Sequence, residues 1–503
     1  MSSRYTAAAV LVIALAATAA RGDEAALRKR IQELEEQQRQ FNEQLRELRQ
    51  ELDHQRAAPA APAAVAPAPV APAAAAPAPG PTAEPQRVEE VERKQNILTE
   101  EVRKIRDFLV LPETQELKGY YGLGPAASKV YGVQRGLSIG GYGETNFKKV
   151  VENGSSGDNS DEFDFVRLVA YLGYKFTDKL VFNSEIEFEH ATTEETSSGN
   201  GSGEVSVEFA TLDYLFHPAA NARGGLMLVP VGFINQVHEP PFYFGNVRPP
   251  VEQQIIPSTW SANGVGLFGE PLPRLLYQAY GITSFDAKGY RTLNLREARQ
   301  SGNQERASDW SFVGRVDYGI LPEWSAGGSM YLGDQGQNEA YGNEEVGFRK
   351  VGVFTQMYEI HTQVVSRGWW FRALGTNVLV DDAGVLSLDQ TINPTWTATS
   401  PNGQPIGKVM LGAYAELAYN VLPLVLPDTD QYLAPWFRYS WLDTNNKVAA
   451  GYQRDRAARR DFYEFGLQYK PIPQVVLKGD YHIQDAEMGT LPYELRLGGG
   501  FVF

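Results

Sequence analysis

The stretch YELRLGGGFVF, residues Tyr493–Phe503, carries aromatic and aliphatic side chains at alternate positions. One face carries Tyr493, Leu495, Leu497, Gly499, Phe501 and Phe503, whereas the other carries Glu494, Arg496, Gly498, Gly500 and Val502. A period of two, with one apolar face and one polar or small face, is typical of a β-strand that separates an apolar environment from water. The stretch therefore predicts an amphipathic strand.

The same alternation recurs from Leu137 onward, where Gly, Tyr, Phe and Trp become frequent. Short connections such as Thr177-Asp178 alternate with long polar ones, which is typical of bacterial β-barrels with short turns at one rim and long loops at the other. The fold class predicted for 137–503 is all-β, a 16-stranded antiparallel transmembrane β-barrel. The predicted strands are 137–149, 161–176, 179–190, 204–216, 223–234, 264–270, 274–284, 309–320, 323–333, 349–363, 368–380, 406–420, 431–443, 461–470, 474–484 and 493–503.

Residues 1–22 have the pattern of a secretory signal peptide. Arg4 precedes an apolar stretch that ends in small residues, with cleavage predicted after Ala20 or Gly22. An uncleaved anchor is the alternative, but the apolar stretch is short and rich in alanine for a spanning helix. No later run of 18 apolar residues follows, and an exported membrane protein without such a run must span as a closed barrel. The predicted location is the bacterial outer membrane, in contact with its lipid.

Two heptad patterns precede the barrel. Residues 23–56 carry a coiled-coil seam, 57–85 form an Ala/Pro-rich linker, 86–112 carry a second coiled-coil segment, and 113–136 connect it to the barrel. This N-terminal stalk is predicted to lie in the periplasm and to hold a homotrimer, with peptidoglycan as a further partner. A stalk that only improves solubility is the alternative.

The alternation within the strands also predicts which charges face the lumen. A charge on the lipid face costs about 2–4 kcal/mol near the middle of the bilayer, so Glu185, Glu187 and Glu208 are expected to point inward. Arg315, Arg372 and Arg438 are the basic counterparts on other strands. Aromatic pairs such as Trp369-Trp370 and Trp436-Phe437 fit the girdles of barrels at the membrane surface.

The connection at 235–263 is too apolar for a solvated loop, and five prolines between Pro240 and Pro257 stiffen it. It is predicted to fold into the barrel and to bring Glu239, Arg248 and Glu252 to a pore constriction. There they would lie near Glu185, Glu187 and Glu208 and face the basic side chains Arg315, Arg372 and Arg438.

The stretches GGYGETNF (Gly140–Phe147) and VPVGFINQVHEPPFYFGNVRPPVEQQIIPSTW (Val229–Trp260) resemble the phosphate-selective porin O and P family. The resemblance covers most of 137–503. It implies a trimeric 16-stranded barrel that passes small solutes, with anions such as phosphate among them. Resemblance to outer-membrane barrels also implies that the barrel assembly machinery reads the strand at Phe503.

Enzymatic and nucleic-acid functions find little support. The chain has no cysteine, and its six histidines lack the spacings of zinc sites. A net charge of −15 disfavours nucleic-acid binding. The prediction is a non-enzymatic channel without cofactor or metal, for passive diffusion of small hydrophilic solutes or ions. The alternative is a structural tether with a closed barrel and a stalk that binds the cell wall.

Deletion of residues 23–110 should leave a folded barrel with a less heat-resistant oligomer, because the heptad seams can bury their apolar stripes only against other copies. The melting of the oligomer in unboiled gels measures this. An unchanged melting temperature would mean that the stalk serves another purpose.

Overall fold

The computed structural model describes residues 119–152, 161–191, 203–393 and 405–503, in which sixteen antiparallel strands close into a barrel. Each strand pairs with its neighbours in the chain, and β1 pairs with β16 to complete the ring. The strands are β1 (Gly136–Glu152), β2 (Glu162–Lys175), β3 (Leu180–Glu189), β4 (Val205–His217), β5 (Ala220–Leu228), β6 (Ser261–Leu272), β7 (Leu275–Thr283), β8 (Trp310–Leu321), β9 (Trp324–Gly333), β10 (Thr355–Ser366), β11 (Trp369–Val380), β12 (Gly407–Tyr419), β13 (Tyr432–Val448), β14 (Arg459–Ile472), β15 (Val475–Ala486) and β16 (Tyr493–Val502).

The predicted fold class is confirmed, and most strand bounds agree within a few residues. The fifth and tenth strands differ most, and the fifth ends at Leu228 and not at 234. Pro230 has no backbone N–H for a ladder, and the chain turns there into the barrel. The tenth strand begins at Thr355, later than the predicted 349.

Large apolar side chains cover the outside of the barrel at alternate positions. In β16, Leu497 and Phe501 are 49% and 38% exposed, whereas Val502 is 3% exposed. In β3, Phe188 is exposed while Glu185 is buried. The period of two therefore sorts apolar residues outward and charged residues inward, as predicted.

Aromatic side chains gather at the rim that carries the short turns, where the exposed ones include Tyr174, Phe176, Tyr214, Phe216, Tyr318, Trp324 and Trp369. Only one member of each predicted girdle pair faces outward. Trp370 and Trp436 face the lumen, where both pack against Phe244, because neighbouring residues of a strand point to opposite faces.

The helices of the described residues are short and lie in the connections. They are α1 (Lys129–Gly132), α2 (Val251–Gln254) and α3 (Ala383–Ile392), with 3₁₀ helices at Pro240–Phe242, Ala287–Gly289, Arg296–Ala298, Leu422–Leu424 and Arg456–Ala458. Within the described ranges, no helix has the length and apolar character needed to cross a membrane.

Residues 229–260, the inward segment, run from β5 to β6 through the inside of the barrel. Val251, Ile255 and Trp260 are at most 2% exposed and belong to one apolar cluster with Met410 and Leu442 of the barrel wall. The inward path predicted for 235–263 is confirmed. The predicted signal peptide (1–22), coiled coils (23–56 and 86–112) and linker (57–85) lie outside the described residues and stay predictions.

Phe503 closes the barrel against β1. Its backbone N–H donates to the Gly141 carbonyl at 2.9 Å, and the Gly141 N–H donates to the Phe503 carbonyl at 3.0 Å. A Cβ at Gly141 would lie 2.7 Å from the Phe503 ring, so glycine lets the ring lie over β1. The seam between β1 and β16 therefore depends on Phe503.

Deleting Phe503 should lower the yield of folded barrel, because it removes two hydrogen bonds and an apolar ring from this seam. The measurement is the heat-modifiable band of the outer-membrane fraction. Glu344→Ala, in the exposed part of the connection between β9 and β10, is the control. Equal yields from both variants would contradict the role of Phe503.

Candidate functional site

The two ends of the inward segment are held together by Asn235. Its side-chain amide donates to the carbonyls of Val229 (2.7 Å) and Trp260 (2.8 Å), and its oxygen accepts from the Trp260 N–H at 2.7 Å. The Asn235 side chain thus supplies the hydrogen bonds that a neighbouring strand would otherwise give to these backbone groups. The segment between these ends forms a loop inside the barrel.

Basic side chains of the barrel wall hold the backbone of that loop. Prolines and irregular conformation leave its carbonyls without backbone partners, and buried carbonyls need donors. Five side chains from five strands supply them: Arg315 to Gly232, Arg372 to Phe242 (3.5 Å), Lys470 to Pro241 (2.5 Å), Arg438 to Phe244 (3.1 Å) and Val247 (3.3 Å), and Lys478 to Gly245 (2.8 Å).

Arg438 is the central residue of this group of five basic side chains. It is fully buried, and its guanidinium contacts Glu416 at 2.9 Å and Glu464 at 2.6 Å. These two carboxylates lie directly opposite Arg438 on β12 and β14. His482 contacts Glu464 at 3.0 Å and extends the network toward β15. Arg438 therefore binds the loop and two carboxylates at once.

Arg315 and Arg372 are also occupied by protein groups. Arg315 pairs with Asp317 at 2.7 Å. Arg372 donates to the Gln363 side chain at 2.9 Å, and its guanidinium lies 4.5 Å from the centre of the Phe233 ring. The predicted basic residues thus position the inward segment, so their charge is largely neutralised or buried.

The acidic residues of the inward segment are buried as well. Glu252 accepts from the Ile234 N–H (2.8 Å) and the Tyr414 hydroxyl (2.6 Å). Burial raises the pKa of Glu252 and raises the pKa of Glu239 to about 7. Glu185 of the barrel wall contacts His238 at 3.0 Å.

Two charged cavities are found among the described residues, cavity A between the inward segment and the wall and cavity B between the wall and the connection from β7 to β8. Cavity A, about 340 Å³, lies against β1, β2 and β16. Its lining includes five basic and three acidic side chains: Lys148, Arg167, Arg248, Arg296 and Arg496, and Glu144, Glu162 and Asp164. Cavity B, about 510 Å³, lies against β3 and β4 and is lined by Glu187, Glu189, Glu204, Glu208, Arg296 and Arg299 among others. Arg296 lines both cavities.

Arg248, Arg296 and Arg299 have no carboxylate partner among the described residues. Arg248 is 7% exposed, and its buried Nη2 makes no hydrogen bond within the described chain. Arg296 and Arg299 donate to the Ser258 carbonyl, at 2.7 and 2.9 Å. Burial, together with the nearby guanidiniums of Arg299, Arg248 and Arg167, lowers the pKa of Arg296 to about 10. The three arginines therefore form a cluster without salt bridges among the described residues, and carboxylates such as Glu187 near Arg248 and Glu208 near Arg299 act on them only at longer range.

The nine residues predicted for the constriction thus fall into three groups. Arg248, Glu187 and Glu208 line the cavities; Arg315, Arg372 and Arg438 hold the inward segment; and Glu239, Glu252 and Glu185 are buried in hydrogen bonds. The sequence reading missed Arg296 and Arg299 because their stretch, 285–308, has the composition of an external loop. Leu295 and Ala298 are apolar and are buried beside these arginines. These two residues are the signal that could have placed the stretch 285–308 inside the barrel.

Comparisons with known proteins give one clear sequence relative. No protein-family model matches the chain. An uncharacterized protein of Aquifex aeolicus (strain VF5) is 38% identical over 386 residues, which cover 76% of this chain and 83% of that protein.

Several solved barrels are similar at low sequence identity. The outer membrane channel DcaP of Acinetobacter baumannii is 13% identical, with a TM-score of 0.46, over 73% of this chain and 97% of that one. OmpF of Salmonella typhi, in complex with daunomycin, is 12% identical, with a TM-score of 0.48, over 74% and 98%. An anion-selective porin from Comamonas acidovorans is 14% identical, with a TM-score of 0.42, over 73% and 99%.

Arg438→Gln should destabilise the barrel by about 3–5 kcal/mol, because it leaves the buried carboxylate of Glu416 without its cation and that of Glu464 with His482 alone. The midpoint of thermal unfolding in detergent measures the loss. Arg274→Gln, at an exposed position of the turn between β6 and β7, is the matched control and should melt like the parent. Equal unfolding midpoints for Arg438→Gln and the parent would show that the network around Arg438 does not hold the inward segment in place.

Proposed function

The chain belongs to the same family as the Aquifex aeolicus protein, and we propose that it is an outer-membrane porin for passive diffusion of small hydrophilic solutes, with a preference for anions. The observation that carries this proposal is a closed 16-stranded barrel that is apolar outside and charged inside, with cavities beside its inward segment. A barrel of this size has a lumen wide enough for water.

The outer surface supports placement in a bilayer. Exposed apolar side chains such as Leu137, Ile139 and Leu477 would be unfavourable in water. The exposed aromatic residues at the rim with the short turns fit the boundary between lipid and water. In this proposal the barrel spans the outer membrane, and the predicted stalk joins three copies.

The preference for anions follows from the pairing of charges in cavity A. The carboxylate of Glu144 is 2.8 Å from Arg167, and that of Glu162 is 2.6 Å from Lys148. Arg248 and Arg296 have no such partner among the described residues, and the lining carries five basic and three acidic side chains, so we infer a net positive field in the cavity. In a narrow passage with walls of low dielectric, such a field raises the local concentration of anions.

Cavity B carries the opposite bias. Its acidic side chains outnumber Arg296 and Arg299. A solute near Arg296 therefore meets basic groups on one side and acidic groups on the other, an arrangement that orients dipolar molecules. We infer weak anion selectivity and not a filter for one ion, with phosphate as one solute among several.

The double variant Arg248→Gln/Arg296→Gln should shift the reversal potential in a salt gradient toward cations. The shift should be larger near 0.1 M salt, where the Debye length is about 10 Å, than at 1 M, where it is about 3 Å. Single-channel recording in planar bilayers measures both the conductance and the potential.

Arg274→Gln is the control, since it replaces an arginine by the same residue far from the cavities, although it removes one positive charge where the double variant removes two. A cation-selective parent, or an unmoved potential in the double variant, would contradict the anion preference. Absence of any conductance in the parent and in both variants would contradict the porin itself and favour the closed-barrel tether.

A further inference from the structure

The segment that leads into β1 folds back into the barrel. Residues 119–135 contain α1, and Leu123, Ala126, Ala127 and Val130 are at most 5% exposed. Three of them (Leu123, Ala126 and Ala127) pack in one apolar cluster with Tyr142, Tyr171 and Phe209 of the barrel wall. The segment therefore occupies part of the lumen.

Polar groups of the wall bind this segment. The Asn183 side chain donates to the Ala127 carbonyl at 2.7 Å. The Tyr131 hydroxyl donates to Asp213 at 2.6 Å and accepts from Arg223 at 2.9 Å. These contacts reach β3, β4 and β5, so they fix the segment across a broad part of the wall.

The inward segment binds it from the other side. Glu239 accepts from the backbone N–H groups of Ala126 (3.0 Å) and Ala127 (3.1 Å), both at Oε1. The Gly124 N–H donates to the Gln236 carbonyl at 3.3 Å. Glu239, predicted to line the pore, instead links two pieces of chain inside the lumen.

Glycines make room for the segment. A Cβ at Gly173 would lie 2.6 Å from the Val130 Cβ, and a Cβ at Gly140 would lie 2.9 Å from the Ala126 carbonyl oxygen. Side chains at these wall positions would collide with the segment. The wall is thus shaped to receive residues 119–133.

The contacts lie near the rim with the short turns. Gly173 and Asn183 flank the turn between β2 and β3, and Arg223 is near the start of β5. Cavities A and B lie farther along the same strands, beside Glu162 and Glu204. A solute that enters cavity A or B along this wall meets residues 119–133 before it reaches the short-turn rim.

We propose that residues 119–133 form a plug that restricts the passage along the β1–β5 wall, held by Glu239, and that release of the plug widens the channel. This inference rests on the proposed porin function. In this proposal, residues 119–133 act as a gate that the chain itself supplies.

An engineered disulfide tests the plug, because the chain has no cysteine of its own. In the Val130→Cys/Gly173→Cys variant, the two Cβ atoms would lie closer together than the roughly 3.5–4.5 Å that separates them in a disulfide. A small shift of the plug away from the wall would therefore allow the bond to form. Single-channel conductance of the full chain should be low when oxidised and rise on reduction. Val130→Cys alone should not respond to the reductant.

Two substitutions at Glu239 give an independent measurement. Glu239→Gln keeps an oxygen for the two N–H groups and should conduct like the parent. Glu239→Ala removes the acceptor and should raise the conductance or the frequency of open steps.

The outcomes separate the plug from the porin. Equal conductance of the crosslinked and reduced forms, or of Glu239→Ala and the parent, would overturn the plug while leaving the porin intact. Absence of conductance in all three of the reduced form, Glu239→Ala and the parent would instead overturn the proposed porin function.

Discussion

The structure depends on how the polar backbone of the inward segment is satisfied inside the barrel. This segment is rich in proline and cannot form a regular ladder, so its carbonyls need donors from elsewhere. Arg315, Arg372, Arg438, Lys470 and Lys478 supply them from the barrel wall. The loop stays in the lumen because these groups and the apolar cluster around Trp260 hold its two faces.

This constraint divides the charges of the lumen into two classes. Charges on β8 and on β10–β15 are mostly paired with one another or with the loop backbone, and the network around Arg438 and Glu464 is an example. Charges on β1–β4 are also paired in part, as Arg167 is with Glu144 and Glu187, but Arg248 and Arg296 beside the cavities have no carboxylate partner among the described residues. In the proposed channel, the preference for anions would therefore come from few residues, although the interior contains many ionisable groups.

The plug is a second piece of chain that lies inside the barrel. The loop and residues 119–133 approach the lumen from opposite rims and meet at Glu239. A single carboxylate thus couples the position of the loop to that of the plug.

The sequence alone predicted the sixteen strands, the inward direction of their charges and the inward path of 235–263, because a period of two and a proline-rich apolar stretch are local properties. Only the tertiary structure decided which charged side chains remain without an ion-pair partner. Arg438 is neutralised because Glu416 and Glu464 lie opposite it on neighbouring strands, whereas Arg248 has no such neighbour. The return of residues 119–133 and of Arg296 and Arg299 into the lumen likewise depends on contacts with distant strands, which composition and spacing do not encode.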